Sequence, residues 1–290
     1  MELIHFLSSI ALFFILLVAC ISIYEIRKLN ITSYNIKHKK LPKEFNGYKL
    51  ILLSDLHNCF FNVDKILETI ISEKPNGVII SGDMLVYGNN CKHDNLKALD
   101  VVKEISKYSD VYFAPGNHEM GYMVKKNQEW LEYEKYLLDL ESDNIYFLDN
   151  KTIEISLGTS KINIYGLHLT DGYYKRFIKK PLLKSTLDKL LGEINDDSFN
   201  ILIAHNPDYF PEYKNWGADL VLSGHNHGGL LKLPIIGGVI SPRLRLFPKY
   251  DYGEFKIADS ILILSSGLGA HSLKIRVNNK PELVIVNFIK

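Results

Sequence analysis

Residues 3–23 form an unbroken apolar run whose only polar members are His5, Ser8, Ser9 and Ser22, and none of them is a charged group of the Asp, Glu, Lys or Arg kind. A helix of that length spans about 30 Å, the thickness of a bilayer's hydrocarbon core. The pattern therefore predicts a transmembrane helix, with residues 1–26 as the anchor. A cleaved signal peptide fits less well, because only Met1 and Glu2 precede the run and no Lys or Arg does. Leu17-Val18-Ala19-Cys20 looks like a lipoprotein cleavage box, but Ile21, Ile23 and Tyr24 carry the apolar run past it.

From Tyr48 the texture changes to short apolar runs followed by helical spacing. Residues 49–53 are nearly continuous in apolar side chains, as expected of a strand buried on both faces. Residues 63–74 place Val63, Ile66, Leu67, Ile70 and Ile71 on one helix face, with Asn62 as N-cap and Pro75-Asn76-Gly77 as the stop. Strands follow at 78–80 and 111–114, with a helix over 95–105 between them. Strand–helix alternation of this kind is the signature of βαβ units in a parallel sheet. A further helix is expected over 127–138. Residues 151–156 and 161–165 then alternate around Leu157-Gly158-Thr159-Ser160, a hairpin signal. A helix over 182–191 and strands at 199–204, 220–223, 261–265 and 283–288 complete the reading. The expected class is α/β, one domain over 47–290 made of two packed sheets with outer helices.

Bulk properties add limits. With 290 residues and a formal net charge of +1, the chain can bury a large core and gives no electrostatic argument for a nucleic-acid partner. Cys20, Cys59 and Cys91 are too few and too scattered for a disulfide framework or a thiolate metal site. Cys59 reads as a packed small hydrophobe, with oxidation sensing as the less favoured alternative. Arg27, Lys28, Lys37, Lys39, Lys40 and Lys43 follow the apolar run, so 27–46 reads as a basic linker, either solvated or touching anionic headgroups. The positive-inside bias leans the C-terminal domain to the cytoplasmic side of a cell membrane, with the extracytoplasmic side left open.

Candidate chemistry collects at five expected strand ends. These carry Asp55 and His57, then Asp83, then Asn117 and His118, then His205, then His225 and His227, so half of the chain's ten histidines stand there. Carboxyl ends of strands in α/β sheets are where ligands bind. Carboxylates, imidazoles and one amide oxygen, with no thiolate, suit a catalytic rather than a structural metal site. Asp55, His57, Asp83, Asn117, His205, His225 and His227 are too many ligands for one ion and suit two divalent ions bridged by a carboxylate. The donor set does not choose among Mn, Fe, Zn and Ni.

Asp55-x-His57, Gly82-Asp83, Gly116-Asn117-His118-Glu119, His205 and Gly224-His225-x-His227 resemble, in order, the motif set of the calcineurin-like metallophosphoesterases. The resemblance implies a four-layer αββα sandwich holding two metals. It implies Asp55, His57 and His227 on one ion, Asn117, His205 and His225 on the other, Asp83 bridging, and His118 as the catalytic acid or electrophile that is not a ligand and helps the leaving oxygen depart. The segments Lys232-Leu233-Pro234, Ile240-Ser241-Pro242, Ser266-Gly267-Leu268-Gly269 and Ile275-Arg276 are similar to those of a membrane-anchored phosphodiesterase subgroup. Asn226, Leu230 and Leu167 depart from that subgroup's pattern, and none is an implied ligand.

Around these motifs Phe60, Phe61, Met84 and Leu85 are expected to wall the site. Residues 233–247 either dip towards lipid, with Arg243 and Arg245 meeting phosphate, or pack on the second sheet. Residues 171–180 either cap an anionic substrate or begin a solvated helix. Glu119 and Asn226 are candidates to support the ligands or the substrate. The expected activity is metal-dependent hydrolysis of a phosphodiester or pyrophosphate, with a phosphorylated small molecule or lipid as substrate and the bilayer as partner. The alternatives are a phosphoprotein or phosphomonoester phosphatase and, in another class, an inactive binding scaffold. The sequence carries no signal for oligomeric state.

Overall fold

The structure is a computed structural model describing residues 1–87, 97–125, 131, 133–135, 137–138, 144–175, 179–233, 237–241, 245–269 and 275–290. The expected helix over 127–138 and the first residues of the one over 95–105 lie wholly or partly outside them.

The chain begins with helix α1 (Glu2–Ile26) and continues into strand β1 (Asn30–Ile36), then β2 (Lys49–Leu53), α2 (Val63–Glu73), β3 (Gly77–Ile80), α3 (Lys97–Ser106), β4 (Val111–Phe113), α4 (Asn117–Lys125) and β5 (Ile145–Phe147). A second run holds β6 (Lys151–Leu157), β7 (Ser160–Leu167), α5 (Lys184–Leu191), β8 (Phe199–Ala204), α6 (Phe210–Trp216) and β9 (Leu220–Ser223). It ends with β10 (Lys232–Leu233), β11 (Gly237–Gly238), β12 (Gly253–Ile257), β13 (Ser260–Leu264) and β14 (Glu282–Phe288). One sheet has the order β1-β14-β2-β3-β4-β5 and the other β12-β13-β9-β8-β7-β6, with β10-β11 as a separate pair.

Strand alternation builds the layers. Leu50, Leu52, Ile79, Tyr112, Val284 and Val286 of the first sheet meet Ile162, Ile164, Ile201, Ile203, Leu220, Leu222 and Ile263 of the second in one buried cluster. The opposite faces of the same strands are apolar too. Ile51, Leu53, Val78, Ile80 and Phe113 pack with Ile66, Ile70, Leu99 and Val102 of α2 and α3. Leu202, Val221, Leu262 and Leu264 pack with Leu187, Leu191, Phe210 and Trp216 of α5 and α6. Strands apolar on both sides are what a helix–sheet–sheet–helix sandwich requires, and they explain the continuous apolar runs.

Two expectations need correction. The stretch 27–46 is not simply a linker: β1 lies parallel to β14 along its whole length, from Asn30↔Glu282 to Ile36↔Phe288. It escaped notice because it is an edge strand whose residues are mostly solvent-facing, with Ile36 alone fully covered. Leu29, Leu41 and Phe45, beyond its ends, are buried as well. Met84 and Leu85 do not wall an open site; both are fully buried in the core under α2 and α3.

Helix α1 is 25 residues long, about 37 Å at the usual rise, and long and apolar enough to cross a membrane. Its side chains are exposed almost throughout, and only Ser22, Glu25 and Ile26 in its last two turns are buried. Those turns are docked. Ser22 Oγ accepts from the N–H of Arg276 and donates to its carbonyl, both at 3.1 Å. Glu25 Oε2 accepts from the N–H of Asn279 at 2.8 Å, and Asn62 Nδ2 donates to the carbonyl of Ile26 at 2.9 Å.

Candidate metal centre

The parallel register puts the carboxyl ends of neighbouring strands side by side. Leu53 pairs with Ile80 and Ile80 with Phe113, so the turns that follow bring Asp55, Asp83 and Asn117 to one edge of the first sheet. In the second sheet Ile203 pairs with Leu222, which brings His205 and His225 together. The two edges meet: the N–H of His225 donates to both carboxylate oxygens of Asp55, at 3.1 and 3.0 Å.

The ligand turns are bent in an unusual way. Asp55, His57, Asp83, His225 and His227 all have positive φ, between 47° and 78°. Only a minority of residues other than glycine adopt this left-handed region, and Asp and His are among those that tolerate it. Such a concentration is typical of functional sites, where the surroundings hold a strained backbone in place. Two glycines let the turns close. A Cβ on Gly116 would stand 2.2 Å from Asp83 Oδ1, and one on Gly224 would stand 2.3 Å from Asp55 Oδ2.

Three buried groups can each hold a cation: Asp55, His57 and His227; Asp83, His205 and His225; and His57, Asp83 and His118. In the first, Asp55 Oδ1 is 3.3 Å from His227 Nε2 and 3.8 Å from His57 Nε2. In the second, Asp83 Oδ2 is 2.9 Å from His205 Nε2, which lies 3.1 Å from His225 Nδ1. Asp83 Oδ2 also lies 3.9 Å from His57 Nε2, so one carboxylate oxygen faces both groups. Asn117 begins α4 beside His118, and its Oδ1 is buried with no hydrogen-bond partner among the described residues.

The residues fit a pair of cations. Nδ1 of His57 faces the carbonyl of Leu85 at 3.3 Å, and Nδ1 of His205 faces that of Ser81 at 2.6 Å. A carbonyl only accepts, so both Nδ1 atoms carry the proton and Nε2 is turned towards the other ligands, His227 for His57 and Asp83 for His205. Nε2 of His57 and Nε2 of His227 are 3.2 Å apart, a contact that needs a proton or a cation at the pair. The electrostatics agree. Burial opposes charge on His205, yet Asp83 and Asp55 outweigh it and raise the imidazole to about 9. Burial pushes the Asp55 carboxyl up to about 6. It would raise Asp83 too, but His205, His118 and His57 hold that carboxyl well below its usual value.

The neighbouring residues are built to support this cluster. Glu119 is fully buried, and its carboxylate accepts from the N–H groups of Asp83, Gly116 and Leu85 at 2.8, 2.9 and 3.1 Å. It ties two ligand turns together. Asn226 Nδ2 donates to the carbonyl of Tyr250 at 2.6 Å, fixing the turn between His225 and His227. Residues 171–174 form a short 3-10 turn with Tyr173 and Tyr174 buried, and the Tyr174 ring meets that of His225 edge-on at 5.3 Å. This portion is a cover over the second ligand group and not a solvated helix start. Phe60 and Phe61 are exposed. Arg245 pairs with Asp208. Together with Lys179, Lys249, Asn226, Leu246 and Phe247 they line a cavity of about 470 Å³. Arg243 lies outside the described residues. Cys59 is half-buried.

Sequence reasoning missed Asn279 and gave Arg276 no role. Arg276 is buried, and its guanidinium donates to the carbonyls of Ser266, Gly267 and Gly269. The N–H of Gly269 in turn donates to the carbonyl of Asp55 at 2.7 Å. Asn279 Nδ2 donates to the carbonyl of His227 at 2.7 Å and to that of Gly229. The one visible signal was Ile275-Arg276 as part of the subgroup resemblance.

Residues 48–229 match the calcineurin-like phosphoesterase family. Relatives extend the likeness over most of the chain. The uncharacterized metallophosphoesterase YkuE of Bacillus subtilis is 26% identical over 90% of this chain and 86% of its own length. Phosphodiesterase YaeI of Escherichia coli is 24% identical over 83% of this chain and 82% of its own. A transmembrane protein with a metallophosphoesterase domain from Danio rerio is 24% identical over 87% of this chain and 56% of its own. With its two-sheet sandwich, its buried carboxylate–imidazole groups and this match over more than half its length, the chain belongs to the calcineurin-like phosphoesterase family and is a metal-dependent phosphoesterase.

Proposed function

We propose that the protein is a membrane-anchored phosphohydrolase that cleaves a phosphodiester or pyrophosphate bond in a lipid or envelope-precursor substrate. The carrying observation is that the ligand ends of both sheets and the docked last turns of α1 share one end of the sandwich. About 20 residues of helix cross the hydrocarbon core. The buried Ser22, Glu25 and Ile26 then fall at headgroup level. A substrate held in that layer meets the ligand cluster without leaving the membrane surface. The cavity beside Asn226 supports the same reading, since Lys179, Arg245 and Lys249 suit a phosphate and Leu246 and Phe247 suit an apolar substituent.

In this reading Asp55, His57 and His227 would hold one divalent ion and Asn117, His205 and His225 the other, with the Asp83 carboxylate facing both groups. Two such ions supply Lewis acidity towards the phosphoryl oxygens and activate water near neutral pH. The remaining work is done by the chain. His118 Nε2 lies 4.0 Å from Asp83 Oδ2, at the rim of the ligand cluster, and its N–H helps the leaving oxygen depart by donating a hydrogen bond to it. Tyr174 excludes water from the His225 side.

The test is hydrolysis by the full chain in phospholipid nanodiscs, after metal stripping and Mn add-back, of bis-p-nitrophenyl phosphate, p-nitrophenyl phosphate and a fluorescent phospholipid. Metal-dependent diester cleavage, with the lipid turned over better in the same bilayer than its water-soluble headgroup analogue, supports the proposal. Cleavage of the monoester alone moves the reading to a phosphomonoesterase.

A further inference from the structure

We infer that the last turns of α1 are a working part of the metal centre: Glu25, acting through Asn279, positions the His227 turn, and Ser22, acting through Arg276, positions the loop beneath Asp55. The inference rests on reading His227 and Asp55 as metal ligands and goes beyond it, because it assigns the membrane anchor a role in the chemistry.

Two short paths connect the helix to the ligands. Along the first, Glu25 Oε2 accepts from the backbone N–H of Asn279 at 2.8 Å, and the Asn279 side chain donates to the carbonyls of His227 and Gly229. One residue therefore separates the helix from the His227 backbone. Glu25, Asn279 and His227 are all buried, so these bonds form away from water, where leaving an acceptor or donor unmade is costly. Along the second path, Ser22 Oγ makes both a donor and an acceptor bond to the Arg276 backbone. The buried Arg276 guanidinium gathers the carbonyls of Ser266, Gly267 and Gly269. That loop touches Asp55 directly: the N–H of Gly269 donates to its carbonyl, and a Cβ on Gly267 would stand 2.8 Å from its Cβ.

The need for such a clamp follows from the ligands' backbone. His227 has φ 50° and Asp55 φ 54°, conformations that neighbours must hold in place. Residues 27–29 carry the chain from α1 straight into β1, which joins the same sheet, so the helix cannot swing without disturbing β14. The anchor is fastened at three points: Arg276, Asn279 and the Asn62 side chain, which holds the carbonyl of Ile26. For an untethered peptide joint none of these bonds would be needed.

The experiment measures metal binding by the full chain in detergent micelles, using Co(II) absorbance on metal-stripped protein. Wild type, Glu25→Leu, Glu25→Gln and Ser22→Ala are compared, each also in a His227→Ala background. Thermal melting without metal checks that every variant is folded. Removing a partner that orients a metal ligand typically weakens metal binding by about 10- to 100-fold. Glu25→Leu is expected to weaken one Co(II) site by about tenfold and leave the other unchanged. Glu25→Gln, which keeps an acceptor oxygen for Asn279, is expected to restore most of the affinity. In the His227→Ala background the effect of Glu25→Leu should vanish, a coupling that a merely destabilised fold does not produce. Equal Co(II) affinities in wild type and Glu25→Leu, or the same loss with and without His227, would overturn the inference. Should Glu25→Leu fail to fold, the decision passes to Ser22→Ala, which is expected to weaken one Co(II) site, and unchanged affinity at both sites in that variant overturns the inference. A wild-type protein that binds no Co(II) would instead strike at the metal-centre reading itself.

Discussion

The Nδ1 atom of His118 accepts a hydrogen bond from the backbone N–H of Tyr87 at 2.8 Å. In the neutral imidazole this places the remaining proton on Nε2, the atom that faces Asp83 across 4.0 Å. The backbone thus selects the tautomer that presents an N–H donor to the ligand cluster.

Replacing His118 removes that N–H donor and leaves the Asp55–His57–His227 and Asp83–His205–His225 groups in place. His118→Gln is expected to lower kcat by roughly 100-fold or more for a diester with a poor leaving group and far less for one leaving as p-nitrophenolate. Steady-state kinetics on both esters, with metal content measured alongside, checks this. An equal loss on both would remove His118 from the leaving-group role.

Protons and cations compete for the cluster. With His205 held up to about 9 by Asp83 and Asp55, metal binding below that pH displaces a proton. Metal affinity should therefore climb as pH rises towards about 9 and fall steeply below about 6, where Asp55 is protonated as well. Calorimetry in buffers of different ionisation enthalpy reads the protons released. The metal-free protein carries the opposite trend. A raised histidine stabilises the fold fully below its unfolded value of 6.5 and loses that contribution as pH rises through about 9. Melting temperature without metal should fall over that window.

Glu119 bonds three backbone N–H groups from inside the protein. Glu119→Ala leaves them buried and unpaired, with an expected destabilisation of about 3 kcal/mol. Glu119→Gln keeps an acceptor oxygen and should lose less. Urea unfolding of the two variants gives the comparison.

Close approach at Gly116 makes another sharp prediction. A methyl group there would meet Asp83 Oδ1 at 2.2 Å and the Asp83 N–H nitrogen at 2.7 Å. Gly116→Ala should displace the carboxylate that faces both ligand groups, and the protein should lose bound metal while keeping most of its far-ultraviolet circular dichroism.

What the sequence reveals follows from where each feature gets its stability. Strands β2, β3, β8 and β9 read as apolar runs because both of their faces are covered, as Ile51 and Leu52 or Ile201 and Leu202 illustrate. Asp55, Asp83, His205 and His225 were legible because each follows such a run within three residues. Strand β1 was not, since its pairing with β14 is supplied by backbone and its side chains mostly face solvent. The start of α4 at Asn117 was hidden because Gly116 and Glu119 cap it by a local bond that leaves no apolar period. Glu25, Arg276 and Asn279 were invisible as a group, because their contacts join residues 254 apart in the chain. Positive φ at the ligand turns has no sequence signal beyond the Asp and His residues themselves.

The central claim is that Asp83 and its surrounding imidazoles hold two metal ions that this enzyme requires. The most direct measurement is metal titration of the stripped full-length protein, with bis-p-nitrophenyl phosphate turnover followed at each addition, for wild type and Asp83→Ala. Activity should rise as two ions bind and be absent in Asp83→Ala at any metal concentration. Turnover that survives chelation, or an Asp83→Ala protein that binds both ions and works normally, would contradict the claim.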